Sequence, residues 1–199
     1  MKMNYPQFWK EATLRRKRIY SILFVFVLSI LATLIGLLVP VSPQEAQIIN
    51  DMLNQTVTQG QANGTLIPDI FLNNFPLCLL MFIPLVGFGI GMFILFSTGQ
   101  AFRAVFEIQA ASGAASASST AANISPTTAI LALVLIGLVF LLEYVSYSIG
   151  MAESIWLFRR ILQNRWMREL KYLGIFIGIV ALLLIIGAIV ETLTLSIGL

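Results

Sequence analysis

Histidine does not occur in the 199 residues, which removes the commonest general base and the commonest metal ligand together. Cysteine occurs once, as Cys78 inside an apolar run. A single thiol makes no intrachain disulfide and no thiolate metal cluster, so Cys78 reads as a small buried hydrophobe. Charge is scarce: 11% of residues are Asp, Glu, Lys or Arg, against about 25% in an average soluble domain. A chain so poor in charge cannot cover a globular surface with polar groups. No Ser-x-x-Lys, inward Asp pair or metal-ligand cluster appears, so hydrolase chemistry lacks its parts. The expectation is a non-enzyme without cofactor or metal.

What is present is apolar sequence, 58% of the chain, with a mean hydropathy of +0.91. A bilayer core takes about 20 apolar residues of helix to cross. Tyr20 to Val41, Phe75 to Ser97 and Tyr172 to Leu195 meet that requirement. A longer stretch, 128–158, reads as a span to about Ile149 followed by a continuing or bent helix that surfaces at Arg159. The N-terminus does not read as a cleavable signal, because its apolar run is full-length and no small-x-small cleavage site follows before Pro40. Residues 5–18 read either as an amphipathic helix on the membrane surface or as a solvated flank. In the first case Phe8, Trp9 and Leu14 meet lipid, and Lys10, Arg15, Arg16, Lys17 and Arg18 meet head groups.

Orientation follows from the basic residues. Six of the twelve lie in residues 1–19, and five lie in 159–171: Arg159, Arg160, Arg165, Arg168 and Lys171. The 42–74 segment has none and carries two glycosylation sequons, at Asn54 and Asn63. Both basic segments are therefore expected in the cytoplasm and 42–74 as an exterior loop. The net charge of +3 is explained by these local clusters and is no nucleic-acid signal. Four spans would put the second basic segment on the wrong side. A fifth crossing at 98–116, short and buried by protein, restores the parity. Arg103 and Glu107 would neutralise each other there at i and i+4. A re-entrant element or a cytoplasmic loop over 98–127 is the alternative. A third sequon, at Asn123, would lie outside, weakened by Pro126. The expected fold is one all-α transmembrane bundle of about five spans, multi-pass in the cell membrane, with the N-terminus inside.

Two sets of residues merit weighing. Gly87, Gly89 and Gly91 follow Pro76 and Pro84. They read as a kinked, closely packed helix, or as a broken helix lining a path. The intramembrane ionisable residues are Arg103, Glu107, Glu143 and Glu191; Glu153, two turns from Arg160, reads as a surface group. A buried pair of Arg103 with Glu107 or Glu143 is the plain reading of the set, and a proton or ion relay the sharper one.

Four stretches carry a family likeness. They are Phe8-Trp9-Lys10-Glu11 with Arg15-Arg16-Lys17-Arg18 and a span reaching Gly36; Ile70-Phe71-Leu72-Asn73-Asn74 leading to Gly87, Gly91 and Thr98-Gly99; Glu143; and Ile189-Val190-Glu191. Together they resemble the stage II sporulation protein M family of small multi-span membrane proteins. Val139 and Phe140 stand where that family's signature has His-Gly. The resemblance implies an integral membrane protein without known catalysis, anchoring a cell-envelope complex. The expected function is a scaffolding subunit with lipid and other membrane subunits as partners. A permease subunit, such as the membrane half of an ATPase-coupled exporter, is the alternative.

Overall fold

The computed structural model describes residues 7–116 and 126–196, and these form helices with no strand among the described residues. The helices in chain order are α1 (Gln7–Glu11), α2 (Leu14–Leu38), α3 (Pro43–Asn63), α4 (Leu66–Leu80), α5 (Val86–Ser116), α6 (Pro126–Leu162) and α7 (Leu170–Ser196), with a 3-10 turn at Trp166–Arg168. Four of them, α2, α5, α6 and α7, are long and apolar enough to cross a membrane, and α4 is a shorter apolar helix. Large apolar side chains such as Phe24, Phe93 and Leu133 stand exposed around the bundle. Only lipid covers so continuous an apolar belt. The protein is membrane-embedded.

Side-chain pairings give the helix directions. Ser29 meets Ser148 and Thr33 meets Tyr144, so α2 and α6 run antiparallel. Thr33 bonds the Leu95 carbonyl and Gly36 touches Gly99, so α5 runs with α2. Asn74 meets Glu143 and the Cys78 thiol meets the Ser146 carbonyl, so α4 runs with α6. Arg18 meets Glu169, and Gly187 lies against Leu142, so α7 runs with α2. Three helices thus run one way and two the other. The N-terminal basic segment and the connection after α6 share one end of the bundle, here termed the basic end.

That parity was expected, but the reversal is at a different place. The span expected over 75–97 is interrupted at Met81–Leu85, and the segment expected as its own buried span, 98–116, is the continuation of α5. Pro84 explains the break, since it has no N–H to donate and clashes with a preceding turn. Leu85 adopts a left-handed conformation, φ 66°, which costs an L-residue about 1–2 kcal/mol. The surrounding groups over-determine it. The Leu85 N–H reaches the Ser154 carbonyl at 3.4 Å, and the Ser154 hydroxyl donates to the Ile83 carbonyl at 2.7 Å. The interrupted backbone is thereby satisfied within protein, as a bilayer requires.

The expected exterior loop 42–74 is also helical, because its caps are strong. Ser42 and Glu45 form a capping box with Pro43 at the first turn, and Gly64 closes α3 in the left-handed conformation, φ 68°. The Ser42 hydroxyl, and after it the Ser42 N–H, hold the exposed Glu45 carboxyl below its ordinary pKa. Asn54 and Asn63 are exposed on α3, away from the basic end; Asn123 lies outside the described residues. The segment 5–18 is not one helix within its described part. It breaks at Ala12–Thr13, where the Thr13 hydroxyl accepts the Arg16 N–H and starts α2. The basic run Arg15–Arg18 therefore belongs to the first turns of α2.

Candidate functional site

Small and hydroxylic residues bring the helices together. α2 and α5 cross backbone against backbone at Gly36 and Gly99, where a Cβ on Gly36 would stand 2.0 Å from the Phe96 carbonyl oxygen. Such contacts suit a bilayer, where packing rather than apolar burial drives association. Gly87 and Gly91 are used the same way, against the Met81 backbone and the Met151 side chain. Gly89, between them, faces open space. So do Gly174 and Gly178, one turn apart on the exposed face of α7.

The ionisable residues separate into three groups. Arg103 and Glu107 pair with each other at 2.6 Å and are partly exposed, 42% and 32%. They are not buried as expected, because α5 has already passed the end of α2 at Leu38 when it reaches them. Glu143 therefore takes another partner. It accepts the Asn74 amide at 2.9 Å, and the Tyr147 hydroxyl donates to the Asn74 carbonyl oxygen at 3.0 Å. Glu191 on α7 is within electrostatic reach of Glu143. The hydrogen bonds of this cluster join α4 to α6.

The third group lies at the basic end. Glu153, expected on the surface, is 4% exposed. Arg18, expected among head groups, turns into the bundle to meet it, Nε to Oε1 at 3.5 Å, and also bonds Glu169. Arg160 Nε lies 3.1 Å from the other oxygen of Glu169. The Glu153 and Arg160 atoms lack the alignment of a hydrogen bond, so these two contacts are Coulombic. The Arg18 guanidinium also lies over Trp156, Tyr172 and Phe176 at 5.0–5.8 Å. Two cations, two carboxylates and three rings thus join α2, α6 and α7. Sequence alone pointed to Arg18 as a basic residue and missed its inward role, for which no local signal exists.

Arg15 and Arg16 are exposed on α2, and Arg159 is exposed at the end of α6. No group of three or more residues able to hold a metal ion occurs among the described residues. No family model matches the chain, and neither a curated protein nor a solved structure matches it.

Proposed function

We propose that the protein is a non-catalytic subunit of the cell membrane that anchors or scaffolds a complex of other membrane proteins. One observation carries this reading. Gly174 and Gly178 form a small-xxx-small face on α7 that no described residue occupies, and such faces let a second helix approach backbone to backbone. The ionisable groups of the bundle support the same reading. Arg103 and Glu107 pair off, and Glu143 is engaged by Asn74, which suits structural roles better than an ion path. The resemblance of the N-terminal, Asn-pair and last-helix segments to the stage II sporulation protein M family points to an anchoring role too.

The experiment is purification of tagged protein from native membranes in mild detergent, with companions identified by mass spectrometry. The expected result is a stoichiometric set of membrane subunits, released by Gly174→Leu/Gly178→Leu and kept by Glu143→Gln. Purification without companions would overturn the proposal. A permease subunit is the second reading, favoured by the interrupted α4–α5 pair beside Glu143. It gains if the main companion is an ATPase and Glu143→Gln abolishes its coupled turnover.

A further inference from the structure

A cleft of about 400 Å³ opens at the basic end between α1, the start of α2 and the end of α6. Lys10, Lys17, Arg159 and Arg160 line it with Trp9 and Trp156, and no carboxylate does. Of the nearby acids, Glu153 faces Arg18 and Glu169 faces Arg18 and Arg160, while Glu11, next to Lys10, is exposed and lies outside the lining of the cleft. Among the described residues Lys10, Lys17 and Arg159 have no carboxylate within 4.0 Å. Three cations without counter-charge in one cleft call for an anion.

A second crevice, of about 150 Å³, shares Trp9, Trp156 and Arg159 with the cleft. It continues along Tyr20, Phe24, Ala152 and Ile155, that is, up α2 and back along α6 toward the middle of the bundle. The two spaces together pass from cationic to apolar along the helix direction. Free phosphate would use only the first; an amphiphile uses both.

We propose that the cleft and crevice bind one anionic phospholipid. Its phosphate sits among Lys10, Lys17, Arg159 and Arg160, and the first part of an acyl chain lies along Phe24 and Ile155. Basic pockets between membrane helices at the interface suit such head groups. Guanidinium groups hold phosphate oxygens in pairs, and Trp9 and Trp156 mark the depth at which indole rings settle. A zwitterionic head group fits poorly. Its ammonium would find no carboxylate, and the ring of Trp156 already has three guanidinium groups within 5.9 Å.

The test uses the full chain carrying Trp166→Phe, so that the two remaining indoles, Trp9 and Trp156, both report from the site. It is reconstituted in phosphatidylcholine nanodiscs with a minor fraction of dibrominated phosphatidylglycerol or dibrominated phosphatidylcholine. Brominated phosphatidylglycerol is expected to quench the fluorescence more strongly at equal fraction. Lys17→Gln and Arg159→Gln should each lower that preference about fivefold. Neither side chain makes an ion pair among the described residues, and Lys17→Arg/Arg159→Lys should retain the preference. Equal quenching by the two lipids, or a preference that survives the double neutral substitution, would overturn the proposal. Recovery of fluorescence on adding inorganic phosphate would overturn it in favour of a free-phosphate site.

Discussion

Alanine at Gly36 would disturb the backbone-to-backbone crossing of α2 and α5. The new Cβ would lie 2.0 Å from the Phe96 carbonyl oxygen and 2.9 Å from the carbonyl carbon, and real Cβ atoms essentially never come within 3.0 Å. The obstruction is helix backbone, so α2 and α5 must separate by about 1 Å rather than rotate one side chain aside. Overpacking of this kind costs about 1–3 kcal/mol. The Thr33 hydroxyl, which reaches the Leu95 carbonyl at 3.1 Å one turn away, would lose a contact worth about 0.6 kcal/mol, at most about 1.7. The better helix propensity of alanine returns up to about 1 kcal/mol. The net expectation for Gly36→Ala is about 2 kcal/mol of destabilisation. Loss of helicity on titrating dodecyl sulfate into mild-detergent micelles measures it. Gly89→Ala makes the same chemical change with nothing within 4 Å of the new Cβ, and should be neutral or slightly stabilising. Gly36→Ala/Gly99→Ala should cost less than the sum of its parts, because one separation relieves both clashes. A Gly36→Ala protein as stable as Gly89→Ala, or strictly additive costs, would refute the backbone crossing.

Three further outcomes are expected. Arg18→Ala strips Glu153 and Glu169 of a shared cation in a site where Arg18 is only 14% exposed. Breaking a buried pair this way costs about 3 kcal/mol, read in the same titration, and Arg18→Lys should recover only part of it because the stack on Trp156, Tyr172 and Phe176 is lost. Asn74→Ala removes the donor to Glu143 and the acceptor from Tyr147. It should cost about 1–2 kcal/mol, and a double-mutant cycle with Glu143→Gln should give a non-zero coupling. Glu45 has a folded pKa below its reference of 4.5, so its capping contribution is complete above that pH and fades as pH falls through the lowered value. The protection of the Ala46 amide against hydrogen exchange, taken relative to its intrinsic rate at each pH, should therefore fall at acidic pH in the parent and be low at all pH values in Glu45→Ala.

Much of the architecture is visible in one dimension because hydropathy and basic residues are themselves one-dimensional signals. The apolar runs locate α2, α6 and α7, and the Lys/Arg clusters require 1–19 and 159–171 to share an end, which Arg18 and Glu169 join. The site of the extra reversal is less visible. α4 and α5 are both apolar, so hydropathy runs straight across Pro84 and cannot distinguish a kink from a reversal. Its one local sign is that proline. The helix over 43–63 was legible in Ser42-Pro43-x-Glu45 and Gly64, but its polarity disguised it as a loop.

The polar contacts of the candidate sites lie beyond local reading. Asn74 and Glu143 are 69 residues apart, and nothing near either residue selects the other over Arg103. Desolvation decides the pairing only once packing has set who is near. The glycines make the same point more sharply. Gly87 and Gly91 share the i, i+4 spacing of Gly174 and Gly178, yet the first pair is filled by Met81 and Met151 and the second faces outward, unfilled by any described residue. Spacing determines that a helix has a bare stripe. Which helix fills it depends on the rotation that the rest of the bundle imposes. In α7 the inward positions are taken by Val180, Leu184 and Ala188, and Gly174 and Gly178 are left on the exposed side.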